Sequence, residues 1–161
     1  MSTGTILKIQ PLTRAAFLPF GQVLDFEPGD AARRNFAAEL FNGRSGAKPN
    51  LRVQRSAPAA VPLICNVIER HRHSSQMFAP LSGGAYLVVV FPSDNAGAPL
   101  VSHGFAFAAR GDQAINYHRD TWHQAFLALD RFGIFLMLRW EDGTAGDEEF
   151  LELQLPIGVE R

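Results

Sequence analysis

Apolar and polar positions along this chain alternate in short runs, with Gly, Pro, Asn and Asp between the runs. Successive side chains of a strand point to opposite faces, so each run reads as one strand. Residues 5–10 alternate around Ile6, Lys8 and Ile9 until Pro11 ends the run. Residues 51–56 set Leu51, Val53 and Arg55 against Arg52 and Gln54. The runs AYLVVVF (85–91) and IFLMLRW (134–140) are almost wholly apolar and read as strands buried on both faces. Residues 121–129 put Trp122, Gln124, Phe126 and Ala128 on one side, and His123, Ala125, Leu127 and Leu129 on the other. Further strands are expected over 23–26, 64–73, 76–81, 105–107, 113–117 and 150–155. Only 12–17 reads as a helix, with Thr13 at its N-cap and Pro19 and Gly21 to stop it. Residues 36–41 fit either a strand or a helical turn. Residues 27–35 and 42–50 (NGRSGAKPN) read as loops, the second with the composition of a lid or of an ordinary surface loop.

Nine or ten short strands with little helix predict a mainly β protein, a sandwich or a barrel. Residues 1–161 are long enough for one domain with a substantial core. The mouth or interior of a barrel is a natural place for a small-molecule pocket.

Two polar segments interrupt this pattern. If 64–73 is a strand, Glu69, His71 and His73 share one face, and Arg70 and Arg72 take the other. Gln76 follows five residues after His71. A carboxylate, an imidazole and a further polar group after a bend can converge on one metal ion or one small polar ligand. The second segment holds Asn116, His118, Arg119 and His123. The 85–91 strand separates the two, so their meeting depends on tertiary structure. Arg55 shares a face with two apolar residues and is expected to point inward, where an arginine needs a partner. Tyr117 and Trp122 read as packing residues, His103 as solvated, and Asp147, Glu148 and Glu149 as a solvated acidic loop.

The chain is 47% hydrophobic and 19% charged with a formal net charge of −1, which argues against a general nucleic-acid surface. Its single cysteine, Cys65, lies in an apolar run and reads as a small buried side chain; no internal disulfide is possible. No apolar run approaches the roughly 20 residues of a membrane span. The first ten residues lack the apolar core of a signal peptide, so a cytoplasmic location is expected.

The spacing resembles the cupin superfamily, whose first motif carries two histidines two apart, an acidic residue five later and a glycine seven after that. Glu69 and His71 stand at the paired positions, Gln76 at the acidic one and Gly83 at the glycine; His123 stands at the histidine of the second motif. The implied metal-ligand set is Glu69, His71, Gln76 and His123, able to hold Ni²⁺, Zn²⁺ or Mn²⁺. More specifically, the chain resembles the ureidoglycolate lyase family. The carrying motifs are Arg55-Ser-Ala-Pro58 with Pro62-Leu63, Glu69-Arg70-His71, Gln76-x-Phe78-x-Pro80, and Asn116-Tyr117-His118-Arg119-x-x-Trp122-His123. Pro11-Leu12-Thr13, Phe17 and Phe20-Gly21 add to the likeness, which covers most of the chain but little of 27–50.

The resemblance implies a cupin-like double-stranded β-barrel of jelly-roll type with one or two short helices, and a homodimer. It implies cleavage of (S)-ureidoglycolate to glyoxylate and urea in allantoin-derived purine nitrogen breakdown, with nickel as the associated ion. The reaction is general acid–base elimination on a small anion, without a nucleophile. In that scheme Glu69 or His123 takes the hydroxyl proton and His118 protonates the leaving urea. Gln76 and Asn116 bind the ureido group, a bound metal or Arg119 holds the carboxylate, and Arg55 is a further anion-binding candidate. The alternatives are another cupin enzyme acting on a small acid, an isomerase or oxygenase, and a non-catalytic small-anion carrier.

Overall fold

The computed structural model describes residues 4–161. In chain order the strands are β1 (Ile6–Pro11), β2 (Gly21–Leu24), β3 (Lys48–Ser56), β4 (Leu63–Arg70), β5 (Gln76–Ser82) and β6 (Tyr86–Phe91), followed by β7 (Phe105–Ala109), β8 (Ala114–Tyr117), β9 (Trp122–His123), β10 (Leu127–Ala128), β11 (Gly133–Glu141) and β12 (Glu149–Glu160). The helix α1 (Arg14–Phe17) is a single turn whose first free N–H groups are capped by the Thr13 hydroxyl, which accepts from Ala16 N–H at 3.2 Å. Residues 36–41 hold a 3₁₀ turn, Ala37–Glu39. No helix among the described residues is long and apolar enough to cross a membrane.

β6, β7, β1, β12, β4 and β9 pair in that order, and β9 returns to β6, so six strands close a barrel. The expected mainly β, cupin-like barrel with few helices therefore forms. Leu7, Cys65, Ile68, Leu87, Val89, Phe91, Ala106, Trp122, Ile157 and Val159 come from all six strands and fill it. A second sheet, in the order β2-β8-β5-β11-β3, covers the β6–β7 wall. Between wall and sheet lies a second core: Tyr86, Val88, Val90 and Phe107 from the wall meet Phe78, Ile115, Tyr117, Phe135 and Met137 from the sheet. Phe126 stacks on Phe78 at 4.7 Å between ring centroids and stands edge-on to Phe135 at 4.2 Å. β6 is buried on both faces because it serves both cores.

Three local expectations are corrected. Residues 121–129 do not form one strand. β9 and β10 both pair with β6, but the register slips by one residue between them, from His123↔Val90 to Leu127↔Leu87. A one-residue slip exchanges faces, so Trp122 lies in the barrel and Phe126 in the second core. The strand over 150–155 extends to Glu149–Glu160, with a break in register between Glu152 and Ile157.

Arg55 does not point inward. The β3–β11 ladder sets Arg52 and Gln54 opposite the core residues Met137 and Phe135, which puts Leu51, Val53 and Arg55 on the outer face with Leu138, Leu136 and Ile134. Leu51 is 64% and Val53 60% exposed. The alternation in β3 is real, but its apolar side faces outward, because β11 is apolar on both faces and fills the core by itself.

Candidate active site

Glu69 is the penultimate residue of β4, and His71 follows the strand directly. β9 lies between β4 and β6, so His123 pairs with Glu69 on one side and with Val90 on the other. This places His123 at the end of the second core, its ring stacked on that of Tyr117 at 4.3 Å. The two distant polar segments are joined by backbone: Asp120 N–H donates to His71 C=O at 2.8 Å. Asp120 sits in the left-handed region (φ 67°), which aspartate tolerates better than most residues.

Glu69, His71 and His123 offer one ligand atom each, and these atoms lie within 4.8 Å of one another. The imidazole centroids of His71 and His123 are 5.5 Å apart. His71 Nδ1 is 2.8 Å from Asp147 C=O, and His123 Nδ1 is 2.8 Å from Thr121 C=O. A carbonyl only accepts, so both Nδ1 atoms carry the hydrogen and both Nε2 atoms present lone pairs. Histidines that bind a metal are oriented in this way. His123 Nε2 is buried without a hydrogen-bond partner and stands 3.3 Å from Glu69 Oε1.

Burial, with His123 alongside, pushes the His71 imidazolium down to about 4, so the ring is neutral near pH 7. Burial alone would raise the Glu69 carboxyl, but a proton shared with His123 and the charge of Arg139 bring it below its ordinary value. The donor set is two imidazole nitrogens and one carboxylate oxygen, which suits a first-row divalent ion.

Gln76 and Arg139 are strand partners on the inner face of the second sheet, and Gln76 also faces Tyr117. Gln76 is buried and its Oε1 has no partner. Arg139 was not foreseen. Its Nη1 lies 3.3 and 3.4 Å from the two ring nitrogens of His71, and the guanidinium pairs with Glu141 and with Glu148, the latter at 2.5 Å. The signal was an arginine inside the apolar run IFLMLRW, where a charge must find a partner.

The 142–149 segment is not a solvated acidic loop. Arg44 holds Asp142 and Asp147, Arg139 holds Glu148, and Arg70 and Arg72 hold Glu149. The segment carries the carbonyl that orients His71, so these pairs fix the site. The stretch before β3 is fastened to the same region, through Gly43 N–H to His73 C=O at 2.8 Å and through Arg44. A cavity of about 360 Å³ beside this segment is lined by Arg139, Asp147, Glu148 and Phe150, and reaches the triad only through the contacts of Arg139 and Asp147 with His71.

The remaining site residues expected from sequence lie elsewhere. Asn116 alternates with Tyr117 and faces away from the triad; its Nδ2 donates to Gln22 Oε1 and to Glu39 C=O. His118 is 32% exposed, with Nδ1 3.8 Å from Glu39 Oε2. Arg119 is exposed and lies over the Phe41 ring at 4.6 Å. Among the described residues, no hydrogen bond or ion pair links Arg55, Asn116, His118 or Arg119 side chains to Glu69, His71 or His123.

A family model described as ureidoglycolate lyase matches residues 4–159. The chain belongs to the ureidoglycolate lyase family. Relatives named ureidoglycolate lyase include one from Rhizobium etli (strain CIAT 652), 35% identical over 161 residues and covering 95% of each chain. Another, from Pseudomonas syringae pv. tomato, is 33% identical over 91% of this chain and 90% of its own. A third, from Brucella melitensis biotype 2, is 35% identical over 91% of this chain and 87% of its own. Membership in the ureidoglycolate lyase family thus spans both sheets and all three residues of the triad.

Proposed function

We propose that this chain, acting as one domain, is a ureidoglycolate lyase: it cleaves (S)-ureidoglycolate to glyoxylate and urea in allantoin-derived purine nitrogen breakdown. The observation that carries the reading is the buried meeting of Glu69, His71 and His123, with both Nε2 lone pairs turned inward, in a member of this family.

Cleavage requires loss of the substrate hydroxyl proton, rupture of the C–N bond and protonation of the departing nitrogen. Glu69 takes the hydroxyl proton and returns it to that nitrogen, so one carboxylate serves both steps and no distant acid is needed. Arg139 binds the substrate carboxylate, since its Nη2 makes no hydrogen bond among the described residues and its planar fork suits that anion. Gln76 binds the ureido group through its unpaired Oε1.

Glu69, His71 and His123 would hold a divalent ion, nickel by family likeness, with zinc and manganese as the chemical alternatives. When bound, such an ion supplies Lewis-acid stabilisation of substrate oxygens. Gln76, expected as a fourth ligand, is left to the substrate because a neutral amide oxygen is the weakest donor of the set. A homodimer is supported by the exposed apolar outer face of β3 and β11. A cytoplasmic setting suits the reduced, buried thiol of Cys65.

The test is incubation of the purified protein with each enantiomer of ureidoglycolate while glyoxylate is followed. Release from the S enantiomer alone supports the reading. Release from neither, with tight binding of small carboxylates, would make this a non-catalytic anion carrier.

A further inference from the structure

The chain has two tyrosines, both in the second core. Tyr86 donates its hydroxyl to Gln113 C=O at 2.7 Å. Tyr117 is equally buried, 1% exposed, and its hydroxyl has no partner. Buried hydroxyls are nearly always paired, so one left free on a ring that stacks against a site histidine points to a missing ligand.

The surroundings of Tyr117 narrow that ligand. Its ring is stacked on His123 with an interplanar angle of 18°. Its direct partner across the β5–β8 ladder is Gln76. Side chains at such positions stand about 4.5–5.5 Å apart at Cβ. The two polar neighbours of the Tyr117 ring thus each carry an unpaired acceptor, Gln76 Oε1 and His123 Nε2, while Tyr117 carries an unpaired donor. A ureido group offers the complement of Tyr117 and Gln76: a carbonyl oxygen that accepts, flanked by N–H groups that donate.

We propose that Tyr117 is a further catalytic residue of this site, donating its hydroxyl hydrogen bond to the ureido carbonyl oxygen of the substrate while Gln76 Oε1 accepts from the ureido NH₂. The inference rests on the lyase reading above. When the C–N bond breaks, its electron pair goes to the ureido nitrogen and is shared with the carbonyl oxygen, so the Tyr117 bond strengthens as the bond cleaves. The substrate hydroxyl proton passes to Glu69 and then to the nitrogen, yielding neutral urea and the aldehyde of glyoxylate. Tyr117 keeps its own proton throughout; burial holds its phenol well above the ordinary tyrosine value. Sequence alternation explains the exchange of roles: Asn116, its neighbour, is buried on the opposite face of the sheet, against Gln22 and Glu39.

Tyr117→Phe keeps the ring stack and removes only the donor. The expected result is a fall in kcat of about 100-fold. The inhibition constant of the product urea should rise about tenfold while that of glyoxylate stays constant. The thermal midpoint should hold or rise, because an unpaired buried hydroxyl has been removed. Gln76→Leu should raise the urea constant in the same way. Unchanged kcat and urea inhibition in Tyr117→Phe overturn the proposal, as does an equal weakening of urea and glyoxylate. If the wild-type protein releases no glyoxylate, the lyase reading fails by itself. Calorimetric titration with urea then still decides Tyr117: binding lost in Tyr117→Phe sustains it as a ureido-binding residue, and binding that is absent or unaltered overturns it.

Discussion

His123 Nε2 and Glu69 Oε1 face each other 3.3 Å apart across a directly paired step of β4 and β9. Thr121 C=O holds one hydrogen of His123 on Nδ1, so with the imidazole neutral two acceptors confront each other in a buried place. A cation or a transferred proton relieves that conflict. His123→Ala should therefore lower both divalent-ion affinity and glyoxylate release. The loss of rate should be about 1,000-fold, and equilibrium dialysis with Ni²⁺ or Zn²⁺ reads the affinity. Full retention of ion binding would show that His123 is not a ligand.

Arg139 touches His71 and answers Glu141 and Glu148 together. Arg139→Gln leaves two acids without their cation and should destabilise the fold by about 3 kcal/mol in urea denaturation. If Arg139 also binds the substrate carboxylate, KM for ureidoglycolate should rise about 10–100-fold, as expected for a lost charge-assisted pair. A stability loss with unchanged KM would assign Arg139 to structure alone.

Glu149 links the roof of the site to β4. Its contacts with Arg72 and Arg70 hold its carboxyl down to about 2. The folded value lies below the unfolded one, so this stabilisation is complete above the ordinary carboxylate range. It is lost as pH falls from about 4.5 through about 2. Asp30, held to about 2 by Arg14, acts in the same window. Thermal midpoints measured from pH 7 to pH 2 should fall steeply in that interval, and Glu149→Gln should flatten part of the drop. A wild-type profile that stays level there would contradict these assignments.

The outer face of β3 offers Leu51 and Val53 to solvent beside Ile134. If it is the dimer surface, Leu51→Asp with Val53→Asp should yield monomers in analytical ultracentrifugation. The core side of the strand is untouched, so the far-UV spectrum should be preserved. A dimer that persists in this double variant locates the interface elsewhere.

Arg55 lies on that same face and Arg119 over Phe41, both apart from the triad. Arg55→Ala and Arg119→Ala should leave kcat and KM for ureidoglycolate near the wild-type values in the unassembled or assembled protein. A large rise in KM for either would restore it as the carboxylate clamp.

Much of the architecture was readable from the chain. An uninterrupted apolar run marks β6 and one broken only by Arg139 marks β11, and the Glu-Arg-His and Trp-His steps identify three groups that do meet. What failed depended on register and on pairing across the fold. The slip between β9 and β10 moves Trp122 and Phe126 into different cores, and local alternation carries no sign of it. The faces of β3 could not be assigned without knowing that β11 supplies both sides. The argument that a buried arginine needs partners was sound but belonged to Arg139 rather than Arg55. The acidic segment looked solvated because its arginines, Arg44, Arg70, Arg72 and Arg139, are scattered along the sequence.

The most direct test is the rate of glyoxylate release from (S)-ureidoglycolate by Glu69→Gln beside the wild type. The variant keeps the shape of the side chain and removes the proton acceptor. A loss of about 1,000-fold or more, with the spectrum of the folded protein preserved, is the predicted result. Turnover by Glu69→Gln at the wild-type rate would mean that the chemistry occurs without this carboxylate, and that the triad is not where the bond is broken.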